Sequence, residues 1–163
     1  KLAAPPCRYP VLKRAFLFSC LTGLRKSDIQ KLTWGEVQKF GKYTRIVFKQ
    51  RKTKGQEYLD ISSQAEKYLG ERGNPDDIVF TGFTYGSWTS LELQRWSLAA
   101  GVNKNLTFHC ARHTFAVLML DLGADIYTVS KLLGHRFLTT TQIYAKVLDK
   151  NKQNAVSLIP DIG

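Results

Sequence analysis

Hydrophobic positions recur along this chain with two periods, and the switch between them marks its elements. From Val11, the positions Leu12, Ala15, Phe16 and either Ser19 or Cys20 fall on one face of a buried helix that Thr22 and Gly23 end. Ile29 and Leu32 extend a second helical stripe that begins at Leu24. The period then drops to two. Val37 to Phe40, Thr44 to Phe48 and Glu57 to Ile61 read as short strands, and in the middle one Thr44, Ile46 and Phe48 alternate with Arg45, Val47 and Lys49, giving a sheet with one more polar face. Gly41-Lys42 joins the first pair, and the basic loop Gln50 to Gly55 joins the second.

Helical spacing returns from Ser62 to Leu69. A turn over Gly73 to Asp77, a short buried segment Ile78 to Phe80 and a polar stretch Thr84 to Ser90 follow, before Leu91, Leu93, Trp96 and Leu98 mark a helix ending near Gly101. Trp88 and Trp96 are expected to pack in the core or against another domain. Three short helical patterns occupy the stretch from Phe108 to Tyr144. Ala111, Phe115, Leu118 and Leu122 form the stripe of the first, which Gly123 stops. Asp125 caps the second, whose stripe is Ile126, Val129 and Leu133, and Gly134 ends it in a left-handed turn. Thr139 with Gln142 reads as a capping box opening the third, with Tyr144 in its second turn. A weakly amphipathic tail through Val147, Leu148, Val156 and Leu158 closes the chain and carries Lys146, Lys150 and Lys152.

Composition narrows the class. With 163 residues, 44% hydrophobic and 12% aromatic, the chain is long enough for one well-buried core and short for two, so a single domain is expected. Pro5, Pro6 and Pro10 make residues 1–10 an extended lead-in, the remnant of an interdomain linker, before a domain over 11–163. The chain begins at Lys1 with no Met, as a fragment would. Its 24 Lys plus Arg against 13 Asp plus Glu leave a net charge of +11, which favours a polyanionic partner, nucleic acid first. An acidic membrane comes second, but no strongly amphipathic basic helix stands out. The longest apolar run, Ala15 to Leu21 interrupted by Ser19, is far too short to span a bilayer, and no signal-peptide pattern opens the chain. Cys7, Cys20 and Cys110 are widely spaced without a C-x-x-C, so they read as reduced thiols.

The chemistry concentrates near the C-terminus. His109 and Arg112, three residues apart, share a helix face in the first turn after the possible cap Thr107, where unpaired backbone N–H groups and the helix dipole favour an anion such as phosphate. His135 follows the turn at Gly134, and Tyr144 lies nine residues on. Two histidines, an arginine and a tyrosine gathered by tight turns suit stabilising and attacking a phosphate.

The order His-x-x-Arg, Leu-Gly-His, then Tyr resembles the catalytic domain of tyrosine recombinases, the phage-type integrases. The segments HCARHTFAVLML, VSKLLGH and TTTQIYAKV look most like integrases of conjugative transposons and related mobile elements of Bacteroides-type bacteria. The resemblance covers about Val11 to Ala155. It implies a DNA breaking-rejoining fold, mainly α with a small three-stranded antiparallel β-sheet, preceded in whole family members by a core-binding domain that is not in this chain. The motif T-G-L-R makes Arg25 the first catalytic arginine, with Asp28 at the family's usual acidic position, and Arg112 the second. Lys52 matches the family's hairpin lysine, with Lys54 the alternative. His109 and His135 would bond the phosphate, His109 being also a candidate for handling the tyrosine proton, and Tyr144 would be the nucleophile. Lys26, Lys49, Arg51, Lys54 and His113 are further expected DNA contacts. No cofactor and no metal are implied. The partners would be a double-stranded recombination site, a homotetramer on DNA and accessory DNA-bending factors, in the bacterial cytoplasm at the nucleoid. The tail after Tyr144 would pack either on a neighbouring subunit or on its own domain.

Three other readings stay open on the residues: a DNA-binding module without catalysis, a type IB topoisomerase-like enzyme, and a zinc site built from His109, His113 and His135. The last lacks the acidic base of H-E-x-x-H, since Cys110 occupies that position.

Overall fold

The computed structural model describes residues 1–49, 56–135, 138–144, 152 and 155–160, and the chain divides into two compact units, Lys1–Arg112 and His113–Gly163. The first unit is organised on helix α1 (Pro10–Thr22), which starts on a proline whose missing N–H is no loss at a first helical position. Leu12, Ala15, Phe16, Phe18, Ser19 and Thr22 are all buried. Phe16 meets Trp96 and Phe108 edge-on, with centroids at 5.8 and 5.6 Å, and Phe18 packs on Phe80 at 5.2 Å. Burying one such ring contributes about 1.5–3 kcal/mol, so this helix carries much of the core. Gly23, at φ 71°, ends it by returning its N–H to the Ser19 carbonyl at 2.9 Å.

Helix α2 (Lys26–Lys31) follows at once, burying Ile29. A capping box of Thr33 and Glu36 then closes the turn Trp34–Glu36 into strand β1 (Val37–Phe40), which pairs antiparallel with β2 (Tyr43–Lys49), itself paired with β3 (Gln56–Ile61). The strand limits fall within one residue of those expected. Val37, Thr44, Ile46, Leu59 and Ile61 form the buried face. On the other face Arg45 lies between the rings of Phe40 and Tyr58, at 4.0 and 3.9 Å, and bonds both carboxylate oxygens of Asp60 at 2.6 and 2.9 Å.

Five expectations change in this unit. Residues 1–9 are tied down: the Pro5 carbonyl accepts from Lys13 Nζ at 2.8 Å and the Trp96 indole at 3.2 Å, Cys7 is buried, and the Tyr9 hydroxyl donates to the Gly82 carbonyl. Helix α3 is only Ser63–Glu66, capped by Ser62, because i→i−3 bonds tighten Tyr68 and Leu69 and Arg14 takes both their carbonyls. Helix α4 (Ser87–Ala99) starts inside the expected polar stretch, burying Leu93 and Trp96 but leaving Leu91 and Leu98 exposed. Trp88 is 55% exposed, with one edge against Tyr9, and is no core residue. Ile78 is exposed where Val79 and Phe80 are buried.

Helix α5 (His109–Asp121) gives its first turn to the first unit and its remainder to the second. In the second unit it packs with α6 (Ile126–Leu132), which Asp125 caps by accepting the Thr128 N–H at 2.9 Å and which Gly134 ends at φ 61°. Phe115, Ala116, Leu120, Val129, Leu133 and Tyr144 form the core. Leu118 and Leu122, expected in the buried stripe, are 39% and 73% exposed, because the face that meets Val129 and Leu133 is that of Ala116 and Leu120. In place of one capped helix around Tyr144 there are two 3-10 turns, Leu138–Thr140 and Gln142–Tyr144. Among the described residues no helix is long and apolar enough to cross a membrane.

Three carboxyls sit below the usual range: Asp60 through hydrogen bonds from Arg45, Glu66 through one from Lys39, and Asp125 through the Thr128 hydroxyl and N–H. A depressed folded value means stability that is complete above the unfolded values, about pH 4, and is lost as pH falls through the folded ones. The melting temperature should therefore be level from pH 7 to about 5 and fall below about 4. A melting temperature at pH 3 equal to that at pH 7 would show these bonds to be without weight.

Candidate active site

The turn T-G-L-R is pinned from within. Thr22 Oγ1 donates to the Phe18 carbonyl at 2.8 Å and accepts the Leu24 N–H at 3.3 Å, while the fully buried Ser19 hydroxyl donates to the Leu24 carbonyl at 2.8 Å. Gly23 must be left-handed here, a conformation that side chains resist. The chain thus leaves α1 with Arg25 as the residue preceding α2, exposed and extended in backbone. Asp28 lies in the first turn of α2.

Arg112 approaches the same turn from α5. The residue is 6% exposed, and its guanidinium donates from Nη1 to the Gly23 carbonyl at 2.6 Å. That bond anchors one arm of the fork to the turn that carries Arg25. The start of α5 is held by Cys110 and Ala111 N–H groups on the Thr107 and Phe108 carbonyls, at 3.0 and 3.2 Å, and by the Tyr85 hydroxyl accepting the Phe108 N–H at 3.1 Å. The Thr107 hydroxyl meets the Cys110 sulfur at 3.5 Å. Arg25, Lys26, His109 and Arg112 all line one cavity of about 370 Å³, together with Tyr85 and Ser19. Lys26 Nζ stands 4.8 Å over the Tyr85 ring. Planar guanidinium forks beside an imidazole and a helix start make a site for a tetrahedral anion. Burial pushes the Cys20 thiol up to about 12 and raises that of Cys7, so neither is a nucleophile at neutral pH.

The second unit holds the other two expected residues. His135 follows the end of α6, its N–H on the Ser130 carbonyl at 3.0 Å, and its Nδ1 hydrogen-bonds with Oγ1 of the fully buried Thr141 at 2.8 Å. Tyr144 donates its N–H to the Thr141 carbonyl at 3.1 Å, and its hydroxyl hydrogen-bonds with Nδ1 of His113. The rings of His113 and Tyr144 meet edge-on at 5.5 Å. Lys52, Arg51 and Lys54 lie outside the described residues, and Lys49 ends β2. Among the described residues no three His, Cys, Asp or Glu side chains converge as metal ligands would.

Tyr85 and Thr141 carried no signal in the sequence, and Ser19 was marked there only as a position on the buried stripe of α1. Sequence reasoning expected His113 at DNA or zinc, while the structure places it on the Tyr144 hydroxyl. Its spacing of four residues from His109 had marked it out only for the zinc reading.

Over residues 4–151 the chain matches the Phage integrase family. Tyrosine recombinase XerD of Oceanobacillus iheyensis aligns at 33% identity over 140 residues, 77% of this chain and 46% of that protein. The catalytic domain of bacteriophage HP1 integrase is similar in structure, with a TM-score of 0.64 and 25% identity across 98% of this chain and 89% of that one. XerH site-specific recombinase bound to palindromic difH substrate, in its post-cleavage complex, shares the fold at a TM-score of 0.71 and 18% identity, over 96% of this chain and 49% of that one. The chain spans about half the length of the curated relatives it matches.

Proposed function

Since the chain belongs to the phage integrase family, we propose that it is the catalytic domain of a site-specific DNA recombinase that cuts and rejoins DNA through a 3′-phosphotyrosyl bond. The observation that carries this is the gathering of Arg25, His109 and Arg112 around one cavity. Tyr144 attacks the phosphodiester, displacing a 5′-hydroxyl, and a second 5′-hydroxyl reverses the step. One phosphodiester replaces another, so the bond energy is retained for rejoining and no ATP is consumed. Arg25 and Arg112 hold the non-bridging oxygens, His109 and His135 hydrogen-bond the phosphate, and Lys52 protonates the leaving 5′-oxygen. The partners are a double-stranded recombination site, further copies of the protein in a tetramer, and accessory DNA-bending factors, acting in the cytoplasm. The similarity to a bacteriophage integrase supports a part in integration or excision of a mobile element.

A pool of nicked duplexes with randomised sequence, from which the short downstream fragment released with a free 5′-hydroxyl diffuses away, should leave a DNA adduct that survives denaturing electrophoresis. Absence of any adduct at saturating protein would remove the proposal. Non-covalent affinity for the same pool should fall steeply with salt, by about 0.9 log units per neutralised phosphate per decade of salt concentration. Tight, salt-insensitive binding would contradict a phosphate-dominated surface.

A further inference from the structure

Given Tyr144 as the nucleophile, the reading on which this step rests, we infer that His113 is the base that takes the Tyr144 hydroxyl proton. Within the second unit the phenol is positioned from three directions. Its backbone N–H is fixed to Thr141, which His135 holds in turn. Its ring, 9% exposed, packs with Phe115, Ala116, Val129 and Leu133. Its hydroxyl ends on Nδ1 of the half-buried His113, whose ring stands at 63° to it.

A buried tyrosine hydroxyl finds some partner in most proteins, and a backbone carbonyl or a water serves for that. An imidazole nitrogen differs from these in kind, because it accepts a proton and gives it back near neutral pH. General-base geometry needs the accepting atom within hydrogen-bond reach of the proton it removes, and His113 Nδ1 satisfies this for Tyr144. His109, the candidate for this task that the family resemblance offered, lines the cavity in the first unit beside Arg25 and Arg112.

The step starts from the His113 tautomer with its proton on Nε2, so that Nδ1 accepts the phenol O–H. As the bond from Tyr144 Oη to phosphorus forms, the O–H bond breaks and the proton passes to Nδ1, giving the imidazolium. The phosphorus–O5′ bond breaks with its electron pair on the 5′-oxygen, which is protonated by the hairpin lysine. In rejoining, the 5′-hydroxyl attacks phosphorus and Nδ1–H returns its proton to the departing phenolate.

With only 3 histidines, side-chain ¹⁵N resonances of the labelled chain are separable, and the His113 signals are those missing from a His113→Asn protein. Tyr144→Phe should shift the His113 Nδ1 resonance; an unchanged resonance would overturn the contact. On the nicked randomised duplexes, His113→Asn keeps an acceptor near Nδ1 but holds no proton, so single-turnover adduct formation should slow by about 10²–10⁴. His113→Ala should be slowed at least as much and be partly restored by free imidazole. Adduct formation at the wild-type rate in His113→Asn would overturn the base assignment. Failure of the nucleophile reading looks different, since it leaves an adduct in Tyr144→Phe.

Discussion

Replacing Arg112 by alanine should slow covalent adduct formation by about 10³ to 10⁵, the usual loss when an arginine that stabilises phosphoryl transfer is removed. That corresponds to roughly 4–7 kcal/mol of the barrier. Arg25→Ala should lose a similar factor, but the two variants part company in stability. Arg112 is buried and satisfies the Gly23 carbonyl, so its removal leaves a buried acceptor without that donor, at about 1–3 kcal/mol. Arg25 is exposed, and its loss should leave the urea midpoint where it was. Arg112→Lys should recover part of the stability and little of the rate, because an ammonium cannot present a planar fork to a carbonyl and a phosphate together. Single-turnover trapping alongside urea unfolding decides it. An Arg112→Ala protein that forms adduct at the wild-type rate would mean that the cavity is not where the phosphate sits.

Tyr144→Phe should abolish the adduct while the protein still folds and still binds DNA. The substitution keeps the ring in the core cluster of Phe115, Val129 and Leu133 and removes the hydroxyl with its bond to His113, which is worth about 1 kcal/mol. Affinity should be nearly unchanged, since it comes from basic side chains on phosphates and not from the phenol. Denaturing gels and equilibrium binding to the same nicked duplexes separate the two properties. Loss of DNA binding together with the adduct would point to a structural role for Tyr144.

How much of this was legible in the sequence depended on the distance over which each feature is decided. Gly23, Gly134 and the Asp125 cap were readable because a left-handed turn or a side-chain cap is fixed by neighbours within four residues. The strands were readable because alternation pins one face inward. The buried face of α5 was not: Ala116, Val117, Leu118, Leu120 and Leu122 offer more than one apolar stripe, and the choice is made by Val129 and Leu133 on another helix. Around Tyr144 the described residues 138–144 form 3-10 turns where a helix start was expected, beside a bond between His135 and Thr141 that no local rule foretells. Trp88 looked like core because large apolar residues usually are, and nothing local indicated that Tyr9 would cover only one edge.

The site divides in the same way. Arg25, His109 and Arg112 were visible as motif positions, and they do line one cavity. The groups that hold them were not visible. Tyr85 reaches the start of α5 from 23 residues earlier, and Ser19 works from inside α1. His113 and Tyr144 are 31 residues apart, and no spacing rule links them.

The central claim is that the Tyr144 oxygen becomes bonded to DNA phosphorus. Trapping the adduct on nicked duplexes, digesting protein and DNA, and sequencing the nucleotide-bearing peptide by mass spectrometry tests it directly. The nucleotide should be found on the tryptic peptide 137–146, with the added mass on Tyr144. A nucleotide carried by any other of the 7 tyrosines, or by a serine, would contradict it.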